Sequence, residues 1–181
     1  MDVTQFSTAR LDARAVDPED EAFVCTLFTD ERVSANLGGA RDAARVHQDI
    51  ERWRAHWLDH GFGLWIVRDR ATGEPIGWTM LHVTDTGGTG GVEVGWTIVA
   101  DRWREGLGYE AGAGATRVGF ETLGLDEIVS FTQPHNAASR GVMRKMGFVY
   151  DCDIVHADLP HVLYRLDRET WKRSMGEQSR G

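Results

Sequence analysis

The chain is poor in several things that would have narrowed its class at once. It has only two cysteines, Cys25 and Cys152, and they form no CxxC pair. Neither a disulfide framework nor a thiolate metal site follows from them, and a reducing compartment is the simpler expectation. No run approaches the roughly 20 apolar residues that a membrane helix needs. The opening Met1-Asp2-Val3-Thr4 has no basic stretch followed by an apolar one, so no signal peptide is expected and the location predicted is cytoplasmic. Internal repeats and Pro/Ser-rich linkers are missing, and positive charge is in deficit. Twenty Lys+Arg stand against 28 Asp+Glu, a net charge of -8. Such a surface repels phosphate backbones and argues against nucleic acid as the main partner. The seven histidines show no HExxH or other ligand spacing, so no metal is expected.

What is present suits a soluble globular domain. Hydrophobic residues make up 41% and charged residues 27% of 181 positions, enough for a core without staples. Residues 1–175 read as one domain, with a polar tail at 176–181 expected to fray.

Local patterns predict an opening strand over 10–16 and a short helix after Pro18, whose acids favour a helix start. A stronger helix is expected over 41–59, where Val46, Ile50, Trp53 and Trp57 share one face. Alternation then predicts strands at 62–69, 76–83 and 92–99. The connections at 71–75 and 85–91 are too short for crossovers, so this is an antiparallel meander. A helix over 108–123 carries the small stripe Leu107, Ala111, Ala115, Val118 and Thr122. A strand follows at 127–132, then a helix from Asn136 ending at Gly147, then strands at 148–155 and 162–166. The pattern is α+β around one central sheet.

The most informative stretch joins the strand Val92-Glu93-Val94-Gly95-Trp96-Thr97-Ile98-Val99 to a helix through Trp103-Arg104-Glu105-Gly106-Leu107-Gly108-Tyr109. Free amides at a helix start attract anions, and glycines let the backbone approach phosphate oxygens. With Arg104 beside them, these residues read as a diphosphate cradle. A phosphate-binding NTPase loop needs GxxxxGK[ST], which is not there. Residues 106–111 spell GxGxxA, but a polar spacer separates them from the strand and a meander precedes them, the wrong setting for a dinucleotide fold.

The loop resembles the Q/R-x-x-G-x-G/A segment of the GNAT N-acetyltransferases. Trp103 in its first place and Val92-Glu93-Val94-Gly95-Trp96 upstream look like the RimJ/RimL branch. A second likeness lies downstream, where Pro134-His135-Asn136-Ala137-Ala138-Ser139 through Lys145-Met146-Gly147-Phe148 is similar to P-x-N-x-x-S…K-x-G-F. The resemblance covers about residues 8–167. It implies a GNAT fold, a mostly antiparallel mixed sheet splayed at a V-shaped cleft with helices on both faces. It implies acetyl-CoA as co-substrate and an amine acceptor, a protein N-terminus or a small amine. The acceptor, the acyl-chain preference and the oligomeric state stay open, a homodimer among the possibilities.

Carried onto this chain, the resemblance places the diphosphate on Arg104, Glu105, Gly106, Leu107, Gly108 and Tyr109. It places the pantetheine arm along the strand ending at Ile98 and Val99, with the Ile98 N–H on the thioester carbonyl. Glu93 is the candidate base, with a purely structural role in the sheet weighed equally. Many members place a Tyr seven residues after the Asn, where this chain has Met143. Ser139 is the substitute donor to the thiolate, or only a helix-start cap or CoA contact. Asn136 would fix CoA or cap its helix. Trp53, Trp57, Trp65, Trp78 and Trp96 could line an acceptor pocket, with at least half expected in the core. His82 is a minor alternative base. A CoA-binding module without turnover remains the competing function.

Overall fold

The computed structural model describes residues 2–85 and 90–178. Part of the turn expected at 85–91, and the tail beyond residue 178, lie outside the described residues. In chain order the elements are β1 (Gln5–Ser7), β2 (Leu11–Ala15), a 3-10 turn (Pro18–Asp20), α1 (Glu21–Thr29), α2 (Glu31–Ser34) and α3 (Ala43–His60). There follow β3 (Leu64–Asp69), β4 (Pro75–Thr84), β5 (Gly91–Ile98), a 3-10 turn (Ala100–Arg102), α4 (Leu107–Arg117) and β6 (Glu127–Thr132). The chain closes with α5 (Ala137–Lys145), β7 (Val149–His156), β8 (Leu159–Asp167) and α6 (Arg168–Gln178).

The expected elements are all found, within a residue or a few of their expected ends. Three more were not foreseen. β1 and α2 are too short to carry a periodic signal. α6 reaches Gln178, so helix occupies the first part of the stretch expected to fray. The helix expected over 108–123 is α-helical only to Arg117 and finishes as a π turn over Val118–Thr122.

One eight-stranded sheet runs in the order β1-β2-β3-β4-β5-β6-β8-β7. All neighbours are antiparallel except β5 and β6, which are parallel and meet at a single register pair, Glu93 with Val129. Each half of the sheet has its own antiparallel ladders, so the seam between them needs few bonds to hold.

Each face of the sheet has its own core. Leu11, Trp65, Leu81, Val94, Leu107, Ala111, Ala115, Ile128 and Leu166 pack together under α4. Val24, Phe28, Val46, Ile50, Leu64, Ile66 and Trp78 pack under α1–α3. Trp65 and Trp78 are buried and Trp53, Trp57 and Trp96 partly so, as the composition of these clusters suggests. The small stripe of α4 is used as expected. A Cβ on Gly112 would sit 2.7 Å from the Trp96 ring, so glycine there lets the helix lie directly on β5. Gly112→Val should therefore cost about 1–3 kcal/mol in urea unfolding. Gly141→Ala on α5, where an added Cβ meets nothing within 4 Å, should instead gain up to about 1 kcal/mol from helix propensity.

Candidate active site

The parallel seam opens toward the C-terminal ends of β5 and β6. The Val99 N–H donates to the Ile76 carbonyl at 2.8 Å. In an antiparallel ladder alternate residues face the same neighbour, so Glu93, Gly95 and Thr97 bond to β4. The main-chain groups of Val92, Val94, Trp96 and Ile98 point the other way, toward β6. The Ser130 hydroxyl donates to the Val94 carbonyl at 2.9 Å and makes the last direct link across the seam. Past it the strands part. The N–H groups of Trp96 and Ile98 face the opening with no strand opposite. The Ile98 carbonyl is taken by the Trp103 indole N–H at 2.7 Å. That bond gives the Trp of the loop a physical role the sequence reading missed.

Beyond Ile98 the chain makes one 3-10 turn and enters α4. Gly106 is the N-cap at φ 79°, and no side chain caps the helix. As the first residues of a helix, Leu107, Gly108 and Tyr109 have amides with no intrahelical acceptor. Contacts made by three residues, Arg102, Arg10 and Glu110, fix this loop. Arg102 pairs with Asp69 at 3.1 Å and with Glu105 at 2.9 Å. Arg10 donates to the Glu105 carbonyl at 3.0 Å. Glu110, one turn into α4, accepts from the Thr8 hydroxyl at 2.6 Å and from the Arg10 N–H at 2.7 Å. Burial alone would raise the Glu110 carboxyl, but these hydrogen bonds outweigh it and hold it below its ordinary value. The Glu105 side chain thus faces Arg102, which leaves only its backbone for the cradle. Arg104 is exposed and sits at φ 68°, a conformation L side chains rarely adopt. The Tyr109 ring lies under the Lys145 ammonium at 4.3 Å.

Across the opening, Asn136 is the N-cap of α5. Its Oδ1 accepts from the Ser139 N–H at 3.1 Å and its Nδ2 donates to Thr132 Oγ1 at 3.1 Å. The capping alternative for Asn136 is therefore realised. The Ser139 hydroxyl is half-buried and makes no hydrogen bond among the described residues. Met143, in the place of the common Tyr, is a core residue at 1% exposure.

Glu93 lies at the apex of the seam, 8% exposed and on the face covered by α1–α3. Its carboxyl has no hydrogen-bond or ion-pair partner among the described residues. Burial pushes its pKa up to about 8. Directly opposite on β4 stands His82, whose pKa burial pushes down to about 4, with His56, His60 and Arg52 adding to the shift. Five residues of extended strand separate Glu93 from Ile98, roughly 16 Å at ~3.3 Å per residue. The two therefore serve different parts of any ligand lying along β5. Among the described residues no group of three or more His, Cys, Asp or Glu is placed to hold a metal, and no helix is long and apolar enough to cross a membrane.

A splayed mixed sheet, a strand edge with free amides and an uncapped helix start at the end of that edge define the acetyltransferase class. The chain belongs to the GNAT acetyltransferase family, whose domain model matches residues 10–149. The FsC-acetyl coenzyme A-N(2)-transacetylase of Aspergillus fumigatus is 29% identical, over 92% of this chain and 77% of its own length. An acetyltransferase structure from Agrobacterium tumefaciens superposes with a TM-score of 0.79 at 26% identity, covering 90% of this chain and 93% of that one. An aminoglycoside acetyltransferase, AAC(6')-Ib, in complex with coenzyme A shares the fold at a TM-score of 0.78 and 18% identity, over 91% and 99% of the two chains.

Two measurements test the site. Arg104→Gly should relieve the left-handed backbone and raise stability by about 1 kcal/mol, while weakening CoA binding in calorimetry. The second concerns pH. Unfolded, Glu93 loses its proton near its ordinary 4.5; folded, it keeps it to about 8. Its contribution to stability is complete below 4.5 and is lost as pH climbs through 8. Glu93→Gln should therefore gain on the parent protein as pH rises from 5 to 8, by on the order of a few kcal/mol. His82 acts with the opposite sign. Its contribution is present above about 6.5 and lost as pH falls toward 4.

Proposed function

We propose that the chain is an acetyl-CoA-dependent N-acetyltransferase. It passes the acetyl group directly to a primary amine, a small molecule or a protein N-terminus, while both are bound. The observation that carries this reading is the set of unpaired donors, Trp96 N–H, Ile98 N–H and the first amides of α4, on and beyond the strand that also carries the buried, unpartnered carboxyl of Glu93. The RimJ/RimL likeness and a relative named for acetyl transfer to N(2) support a nitrogen acceptor; the location that goes with this reading is cytoplasmic.

In this reading residues 104–109 hold the diphosphate through backbone N–H groups and the Arg104 guanidinium. Tyr109 and Lys145 flank it, and Val99 and Ile98 begin the strand edge that the pantetheine arm follows. The Ile98 N–H then bonds within the arm. The Trp96 N–H, two residues nearer Glu93, is better placed to polarise the thioester carbonyl. Ser139 offers a hydroxyl to the departing thiolate, and Asn136 orients the α5 turn that carries it.

Glu93 is the base. An alkyl ammonium of pKa ~10.4 must lose a proton before its nitrogen can attack. An ordinary carboxylate is too weak for that by some six units. Burial of Glu93 narrows the gap to about two, a gain on the order of 5 kcal/mol. The cost is that only about a tenth of it is ionised at pH 7. kcat/KM should therefore rise with pH and level off near 8. Glu93→Gln should lower kcat about 100-fold or more with acetyl-CoA affinity unchanged. Thiol release across an amine and peptide library reads both. Silence toward every amine, with CoA still bound, would instead identify a binding module.

A further inference from the structure

We propose that His82 is the proton carrier behind Glu93, taking from it the proton released by each acceptor amine and passing it to solvent. This rests on the reading of Glu93 as base. A base at the seam apex must be emptied once per turnover. In that reading acceptor and acetyl-CoA, bound in the cleft, cover the open side of Glu93. The residue beside it on β6 is Val129, which cannot take a proton. On β4 it is His82, its hydrogen-bonded register partner on the same face, and only partly buried.

The surroundings of His82 restrict where that proton can go. The His82 ring stacks on His56 with centroids 4.2 Å apart. His56 is locked in one neutral form, because its Nδ1 faces the Phe62 carbonyl at 2.8 Å and its Nε2 accepts from the Val83 N–H at 3.0 Å. A carbonyl demands a donor and an amide demands an acceptor, so the tautomer is Nδ1–H. Protonating His56 would set two N–H groups against each other, so the path does not run deeper into α3. His56 instead supplies a flat wall that holds the His82 ring. His60, 4.4 Å from His56, and Arg52 complete the side toward α3, and Asp59 acts on His56 from the same helix. Burial, with the neighbouring imidazoles and the cationic Arg52 adding to it, keeps His82 neutral at rest, which is the state a carrier needs before it is loaded. In the step itself a water between the two side chains relays the proton: the Glu93 O–H bond breaks, the water takes that proton and gives one of its own, and an imidazole N–H bond forms; the transfer is uphill and is drawn on by rapid loss of the proton to solvent. Glu93 returns to carboxylate, and the imidazolium then releases its proton to water.

The test uses the full chain with acetyl-CoA and its best acceptor amine, comparing the parent protein with His82→Gln and Glu93→Gln. His82→Gln should lower kcat about tenfold with the KM for acetyl-CoA unchanged. Free imidazole should restore the rate in proportion to its concentration, without effect on the parent protein. His82→Asn repeats the test with a shorter side chain should the Gln variant fold poorly, and thermal unfolding checks both. An unaltered kcat and pH profile in His82→Gln, with Glu93→Gln inactive, would overturn the carrier and leave the base standing. A loss that imidazole does not rescue in a well-folded variant would also overturn it. Activity retained in Glu93→Gln removes the base and the carrier together.

Discussion

The structure depends on a seam that is deliberately under-bonded. β5 is held along its length by β4, and β6 along its length by β8. Each therefore satisfies one edge completely, and the two share one register pair and one side-chain link, Ser130 to Val94. A fuller parallel ladder would satisfy more backbone groups but would close the cleft. The free N–H groups of Trp96 and Ile98 are tolerable only because they face an opening that water or a ligand can enter. Where a carbonyl is best not left open, at Ile98, the Trp103 indole covers it.

The end of the seam is brought to the start of α4 by small residues. The helix carries Gly108, Gly112 and Gly114 within its first eight positions, at a cost in intrinsic propensity. That cost is offset by close packing. Trp96 lies against Gly108 and Gly112, and Phe6 against Gly114. Larger side chains would lift the helix from β5 and move its amides off the line set by Trp96 and Ile98. The Glu110 bonds to Thr8 and Arg10 then fix the helix start to the first hairpin, far from it in sequence.

Much of this was legible in advance because it is periodic or local. The alternation of β5 reads directly, as do the small stripe of α4, the caps at Asn136 and Gly147, and the two-glycine loop. β1 and α2 were not legible, since three or four residues carry no period. Helix α6 is too polar to show an apolar stripe, although Trp171 anchors it on Phe120 at 5.1 Å. The site's electrostatics were hidden for a different reason. Glu93, Gly95 and Thr97 look like the solvent face of a half-buried strand. Only the packing of α1–α3 on that face converts a polar stripe into a buried carboxyl. The same holds for His56 and His82, 26 positions apart in sequence and stacked in space, and for Trp103, whose partner carbonyl is fixed by the path of a turn.

Burial of Glu93 sets stability and chemistry against each other. An unpaired carboxyl buried at the apex of the seam lowers stability whenever it is ionised, and a lysine or arginine on β4 opposite would have remedied that. Such a partner would also have pulled the carboxyl below its ordinary range, leaving it too weak to accept a proton from an ammonium. A histidine in that place avoids both outcomes. Held neutral by its own burial and by His56, it does not stabilise the carboxylate at rest, so the basicity survives. It still stands opposite the carboxyl on the same face of the sheet. The polarity of the pair, a raised acid beside a depressed base, follows from burying both on one face of the sheet, where α3 lies against His82. A substitution that admitted water to that face would relax both groups toward their ordinary values at once, gaining stability at neutral pH while taking from Glu93 the raised proton affinity that the proposed base needs.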